Sequence, residues 1–181
     1  GWAITGTGTV LRTTDGGTTW NQVDLGDYYM NDVYFVTDTK GFAISGNGDI
    51  FVSTDGGATW PTHIDKGDST SLDGICFDPD NAQVGWIASG NGVPWKTTDG
   101  GATWNTVAMP YHSFNSVACA GGGSNVVWLA GWNNQPNHIV KVQDSGTPTW
   151  EQLADSTYGN DPSFNGVDCS SGSQALAVGA S

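Results

Sequence analysis

Residues 13–20 read "TTDGGTTW", and the arrangement returns as "STDGGATW" at 53–60 and "TTDGGATW" at 97–104. A looser copy, "VQDSGTPTW" at 142–150, carries one extra residue between the Asp and the Trp. A catalytic motif normally occurs once in a chain. Repetition of a hydroxyl residue, an aspartate, glycine and a tryptophan therefore points to architecture before chemistry. The tryptophans fall at 20, 60, 104 and 150, spacings of 40, 44 and 46 residues. Those spacings lie within the range of propeller blades.

The segments between the copies follow one order. An alternating apolar stretch comes first: "NDVYFV" (31–36), "LDGICF" (72–77), "FNSVAC" (114–119) and "FNGVDC" (164–169). A second opens on a small residue: "GFAISG" (41–46), "GWIASG" (85–90), "VWLAG" (127–131) and "ALAVG" (175–179). After a turn, often "GNG", comes a third: "DIFVS" (49–53), "VPWKT" (93–97) and "HIVKV" (138–142). The box then leads into a fourth. Period-two alternation in short runs punctuated by Gly, Asn and Asp predicts strands. The glycines around Asn47 and Asn91 supply the positive φ that tight hairpins demand. No stretch carries a helical period. The expected fold is all-β, a β-propeller of about four four-stranded antiparallel blades with the boxes as turns.

A single domain over 1–181 is expected, with blade repeats near 1–26, 27–67, 68–110 and 111–155, and 156–181 contributing to closure. "GWAITG" (1–6) already matches a second strand, so the chain holds seventeen strand-like stretches against sixteen places in a closed four-bladed ring. Because an open edge exposes unpaired N–H and C=O groups, the ring is expected to close by both termini or be completed by a neighbouring chain. The alternative is a segment of a larger propeller. The chain begins at Gly1 with neither Met nor a signal peptide, which suggests processing, trimming or excision from something longer.

Ser/Thr-x-Asp-x-Gly-x-x-Trp resembles the Asp-box, or BNR repeat, of sialidases, sortilin-type receptors, xyloglucan-degrading hydrolases and photosystem II assembly factor-like proteins. The resemblance spans nearly the whole chain, and these families share the box while differing in activity. It implies a structural turn between the third and fourth strands of a blade. Asp15, Asp55 and Asp99 then accept backbone N–H bonds, and Gly17, Gly57 and Gly101 allow the bend. Trp20, Trp60 and Trp104 pack between sheets, with Asp144 and Trp150 as their counterparts in the looser copy.

Charge narrows the function. The formal net charge is −13, with one arginine and four lysines in 181 residues. Phosphate neutralisation needs clustered cations, so a nucleic-acid partner is not expected. No apolar run approaches the roughly 20 residues of a membrane span, so no membrane insertion is expected. Seventeen of the eighteen acids are Asp, a bias that belongs to turns. Sialidase-type sites hold the substrate carboxylate with three arginines, and this chain has Arg12 alone. A glycoside hydrolase needs two carboxylates roughly 5–9.5 Å apart; Asp27, Asp68, Asp155 and Asp161 lie on a plausible face, but no spacing singles out a pair. Photosystem II assembly factor-like proteins match best in blade length, yet that family's basic patch has no counterpart here.

No nucleotide loop, HExxH or CxxC motif occurs, so no enzyme activity and no cofactor are expected. His63, His112 and His138 stand too far apart in sequence to suggest a metal site. Cys76, Cys119 and Cys169 lie on first strands and read as small core residues, with a disulfide between two cysteines of adjacent blades as the alternative; their odd number excludes full intrachain pairing.

Most aromatics have a structural slot. Trp2, Trp86 and Trp128 share a second-strand core position, and Trp95 aligns with Leu11, Phe51 and Val140. Trp132 has none; it sits in "GWNNQPNH" (131–138), a turn longer than its counterparts. Tyr28, Tyr29, Tyr111 and Tyr158 lie in blade-to-blade connections. With Asn133, Asn134, His112 and His138 they are expected on one rim, opposite the boxes. Exposed aromatic faces beside Asn and Asp suit a glycan or a protein partner. The expected function is a non-catalytic, secreted binding module, placed extracellularly or on a cell or virion surface. Alternatives are a structural surface, virion or filament subunit that self-assembles through blade edges as a homo-oligomer, and a fragment of a glycoside hydrolase.

Overall fold

A computed structural model describes residues 1–67, 70–90, 93–109, 113–131, 139–153 and 163–180, and among these every helix or strand element is a strand. There are seventeen, as many as the alternating stretches in the sequence. The chain forms two compact units, Gly1–Asp73 and Gly74–Ser181, with the boundary inside one strand.

In the first unit β1 (Trp2–Ile4), β2 (Thr9–Arg12) and β3 (Asn21–Asp24) form a three-stranded antiparallel sheet. β4 (Met30–Phe35), β5 (Gly41–Ser45), β6 (Asp49–Ser53) and β7 (Thr62–Asp65) form a four-stranded one. The boundary strand β8 (Leu72–Asp78) heads the next sheet, with β9 (Asn81–Ser89), β10 (Trp95–Thr97) and β11 (Asn105–Thr106). The second unit continues with β12 (Phe114–Ala120), β13 (Val126–Gly131), β14 (Ile139–Gln143) and β15 (Thr149–Gln152), then a two-stranded sheet of β16 (Ser163–Ser171) and β17 (Gln174–Ala180). In every sheet the hydrogen-bonded neighbours are also chain neighbours. These are the meanders from which propeller blades are built.

Packing explains the residue order. β5, β6 and β13 are buried along their whole length, whereas β7 and β11 are mostly exposed. A strand covered on both faces reads as a near-continuous apolar run, so the alternation is weakest in the middle of each blade. The small residue at the head of β5, Gly41, and its counterpart inside β9, Gly85, are steric in origin. A Cβ on Gly41 would meet the Phe35 ring at 2.5 Å, and one on Gly85 the Phe77 ring at 2.8 Å. Each first-strand aromatic lies flat on a glycine of its neighbour.

A polar clasp binds sheet to sheet inside each unit. A second-strand tryptophan lies across from a third-strand cation in three sheets: Trp2 and Arg12, Trp86 and Lys96, Trp128 and Lys141. In the first unit Trp2 Nε1 and Arg12 Nε both donate to the carbonyl of Gly56, at 2.8 and 2.7 Å. In the second, Trp86 Nε1 and Lys96 Nζ both donate to the Asp144 carboxylate, at 2.9 and 2.5 Å. Trp2 also stacks on Phe35, ring centroids 3.7 Å apart. These tryptophans lie between sheets, and their N–H groups make the second half of the contact.

Of the two readings of the cysteines, small core residues or an adjacent-blade disulfide, the structure takes the second for one pair. Cys76 on β8 and Cys119 on β12 form a disulfide, with Cα atoms 5.7 Å apart, while Cys169 is free. First strands of consecutive sheets run side by side, so inward positions meet although they are remote in sequence. Closing a loop with a sequence separation of 43 residues is worth about 4 kcal/mol in the chain-entropy model. Replacing both cysteines by serine is expected to lower the calorimetric Tm, and reductant should reproduce the loss in the parent chain. An unchanged Tm would show that the bond contributes nothing.

Candidate functional site

Three loops of the first unit meet beside Tyr28 and Tyr29. The β3–β4 connection is pinned from both sides: Leu25 N–H donates to the carbonyl of Gly8 at 2.9 Å, and Gly46 N–H to that of Tyr29 at 2.8 Å. The two tyrosines are therefore held between the β1–β2 and β5–β6 hairpin turns. Tyr29 remains 65% exposed, its ring edge 3.5 Å from where a Cβ on Gly6 would lie. Tyr28 is half-buried, edge-on to Phe51 and His63 with ring centroids 4.9 and 5.7 Å away. Phe51 and His63 stack, 4.7 Å apart and nearly parallel.

A carboxylate fixes the imidazole from below. His63 Nε2 donates to Asp49 Oδ1 at 2.7 Å, and Ser45 Oγ donates to Asp49 Oδ2 at 2.9 Å. Ser45 Oγ in turn accepts from the N–H groups of Asn47 and Asp49, at 3.2 and 3.0 Å. The buried Asp49 thus ties a hairpin turn to an aromatic platform. Asp24, Asp27 and Asp65 lie exposed on the flanking segments. The result is a stiff aromatic surface in an acidic setting, suited to binding a cation or an apolar face.

Of the expected rim, the structure brings Tyr28 and Tyr29 together. Tyr111, His112, Trp132, Asn133, Asn134, His138 and Tyr158 lie outside the described residues, as do Asp68, Asp155 and Asp161. Two contributors escaped sequence reasoning. They are His63 and Asp49. The available signal was register, since Phe51 and His63 lie directly across β6 and β7. Among the described residues no group of three or more His, Cys, Asp and Glu is placed to hold a metal ion.

The three intact boxes share one hydrogen-bond pattern. Asp15, Asp55 and Asp99 accept a hydroxyl from Thr13, Ser53 and Thr97 at 2.8, 2.9 and 2.8 Å. Each also accepts the N–H at 2.9 Å and the hydroxyl at 2.6 Å of the threonine four residues on. Gly57 sits at φ +81°, where a Cβ would also strike Trp2 Nε1 at 2.8 Å. Asp144 does something else. The positions that supply its relatives' donors are Val142 and Pro148, which offer no hydroxyl, and Pro148 has no N–H. Its carboxylate, with only 5% of the side chain exposed, is taken up by Trp86 and Lys96 instead.

Comparison with known proteins places this geometry. A family model described as "Photosynthesis system II assembly factor YCF48" matches residues 20–114. No curated protein matches the sequence. Among solved structures the chain is similar to an ancestral GH74 enzyme (TM-score 0.78, 20% identity), covering 98% of this chain and 25% of that one. It is also similar to the GH74 enzyme of Niastella koreensis (TM-score 0.79, 17% identity), covering 99% of this chain and 31% of that one. A third similar structure is YCF48 bound to D1 peptide (TM-score 0.56, 22% identity), covering 72% and 42%. The match thus covers less than half of each of these proteins.

The expectation that the chain is not an enzyme is overturned by the two GH74 structures, which it matches along nearly its whole length, over 25% and 31% of theirs, so that a piece of such an enzyme is a possible reading. The physical reason is reach. A carboxylate pair that flanks a scissile bond is assembled by loops from separate blades, so the lack of a motif in one stretch excludes nothing.

The box aspartates carry a pH signature. Their pKa values fall from 3.8 to about 2, chiefly through the hydroxyl and N–H of Thr19, Thr59 and Thr103. A lowered carboxylate pKa stabilises the fold above the unfolded-state value and loses that contribution as pH falls through the folded one. Urea midpoints are therefore expected to drop between pH 3.8 and about 2, and the double variant Asp55→Asn, Asp99→Asn should show a shallower drop. Equal pH slopes in variant and parent would contradict the assignment.

Proposed function

The chain belongs to the family described as photosynthesis system II assembly factor YCF48, and from that membership we propose that it is a protein-binding propeller module whose partner presents a basic segment to the Tyr28–Tyr29 rim. The observation that carries this reading is Tyr29, 65% exposed on a backbone fixed from two sides. A large aromatic held in place before binding loses little entropy when it is covered, which is what makes tyrosine a frequent hot spot. Charge selects the partner. With a formal net charge of −13, the chain attracts cationic segments and repels acidic ones. The family member solved with a bound peptide supports a peptide over a sugar as the ligand. Trp132, Asn133, Asn134, His138, Tyr111, His112 and Tyr158 extend the proposed surface. An extracytoplasmic or cell-surface location accords with the Cys76–Cys119 bond, because disulfides persist in oxidising compartments.

A second reading is favoured by the match to the GH74 enzymes over 98% and 99% of the chain. In it the chain is part of a glycoside hydrolase, and the rim contacts sugar. Binding to an array of Lys/Arg-containing peptides, set against xyloglucan oligosaccharides, separates the two. Tyr29→Ala is expected to weaken peptide binding by about thirtyfold, the effect of losing a hot spot of roughly 2 kcal/mol, at unchanged Tm. Binding only to the oligosaccharides, with release of reducing ends, would replace the first reading by the second.

A further inference from the structure

Ser45, Asp49 and His63 form a hydrogen-bond relay whose direction is set at one end by the backbone. The amides of Asn47 and Asp49, which can only donate, both give their N–H to Ser45 Oγ, at 3.2 and 3.0 Å. With its lone pairs taken, that hydroxyl sends its own hydrogen to Asp49 Oδ2 at 2.9 Å. The other carboxylate oxygen, Oδ1, accepts from His63 Nε2 at 2.7 Å. A neutral imidazole has a single N–H. Here it is spent on Asp49, so Nδ1 presents a lone pair.

The surroundings hold that lone pair in one place. The imidazole lies on Phe51 with 5° between the planes, and Tyr28 stands edge-on to it. Turning the ring over would take Nε2 away from the carboxylate. Only 8% of the Asp49 side chain is exposed against 40% for His63, so the acid is hidden while the imidazole opens to solvent beside the tyrosines. Among the described residues nothing donates to Nδ1. Nor does the hairpin need the relay. "SGNG" recurs at 89–92, where Val93 stands in the place of Asp49. Thr106 lies across from Trp95 as His63 lies across from Phe51. Burying a carboxylate is costly, and this blade keeps one whose effect is to choose which nitrogen of an imidazole carries the proton.

We propose that Asp49 is a positioning residue, holding His63 in the tautomer whose Nδ1 accepts an N–H from an arginine side chain of the bound segment. The inference rests on the reading of the Tyr28–Tyr29 rim as a surface for a basic partner. A guanidinium offers N–H donors in several directions and no acceptor, so it pairs with a lone pair and is refused by another N–H. Its planar face also suits the exposed ring of Tyr29.

Nitrogen NMR of the intact chain in mildly alkaline buffer reads the tautomer without any ligand, and the parent is expected to carry its proton on Nε2. In Asp49→Asn the carboxamide oxygen still takes the Ser45 hydrogen, so its NH2 faces the imidazole and the proton moves to Nδ1. Titration with a blocked tri-arginine peptide then reads the effect. Asp49→Asn should weaken binding about thirtyfold, the worth of one hydrogen bond to a charged group. Asp38→Asn removes the same charge from an exposed turn at the other end of β5, and should change binding by less than about twofold because solvent and salt screen it. A blocked tri-glutamine peptide, which has amide oxygens to offer, should reverse the order and bind the Asp49→Asn variant more tightly than the parent. An acid that only braced the hairpin would move neither the tautomer nor that order. A parent imidazole protonated on Nδ1 overturns the proposal, as does equal binding of tri-arginine by parent and Asp49→Asn. Tri-arginine that fails to bind a parent with its proton on Nε2 overturns the reading of the rim, and this inference with it.

Discussion

A carboxylate gripped by hydroxyls on either side is the interaction on which the rest of this fold depends. In each intact box the aspartate is held by the serine or threonine two positions before it and the threonine four positions after it. The same leading hydroxyl accepts the N–H of the second glycine, at 2.8–2.9 Å. The chain reversal is thereby fixed by side chains rather than left to the ladder of strands beside it. A turn so fixed presents its first glycine carbonyl outward in a reproducible place. In the first unit the neighbouring sheet grips that carbonyl at Gly56, and in the second it grips the Asp144 carboxylate.

Sheet-to-sheet cohesion then has two parts, one apolar and one polar. Stacked rings such as Trp2 on Phe35 supply area and dispersion. The indole N–H and the cation beside it supply direction. Removing Lys96 and Asp144 from water is costly, and the pair is retained with two donors on one carboxylate, the arrangement that makes such burial tolerable. Its gain is register, since a sheet that slid would leave a charge unpaired. On a scaffold stiffened this way, loops are free to vary. The rim around Tyr28 and Tyr29 is an instance, positioned by backbone hydrogen bonds to two hairpins and braced by the Asp49–His63 pair.

Much of the fold was legible because the box is local. Its donors and acceptor lie within a few residues of one another, and the tryptophan spacing exposes the repeat. Strand order followed from alternation, and the small residues Gly41 in β5 and Gly85 in β9 now have their cause in Phe35 and Phe77. What escaped was every feature that joins residues distant in sequence. An adjacent-blade disulfide stood only as the alternative for the cysteines, and the meeting of Cys76 on β8 with Cys119 on β12 decides for it. Asp144 looked like a fourth copy of the box acid, although Val142 and Pro148 had already removed its donors. His63 and Asp49 belong to different strands and meet only through the pairing of β6 with β7. The rim was inferred from leftover aromatics, and its two described members, Tyr28 and Tyr29, are adjacent in sequence.

The clasp has a consequence for how the chain survives digestion. Of the five Lys and Arg residues, Arg12, Lys96 and Lys141 lie within β2, β10 and β14. A trypsin-like protease needs an extended, accessible segment with a cationic side chain it can draw into its pocket. Only Lys40 and Lys66 lie outside strands, and both belong to the first unit. The second unit therefore offers such an enzyme no Lys or Arg outside a strand, and cleavage by it is expected to begin at Lys40 or Lys66.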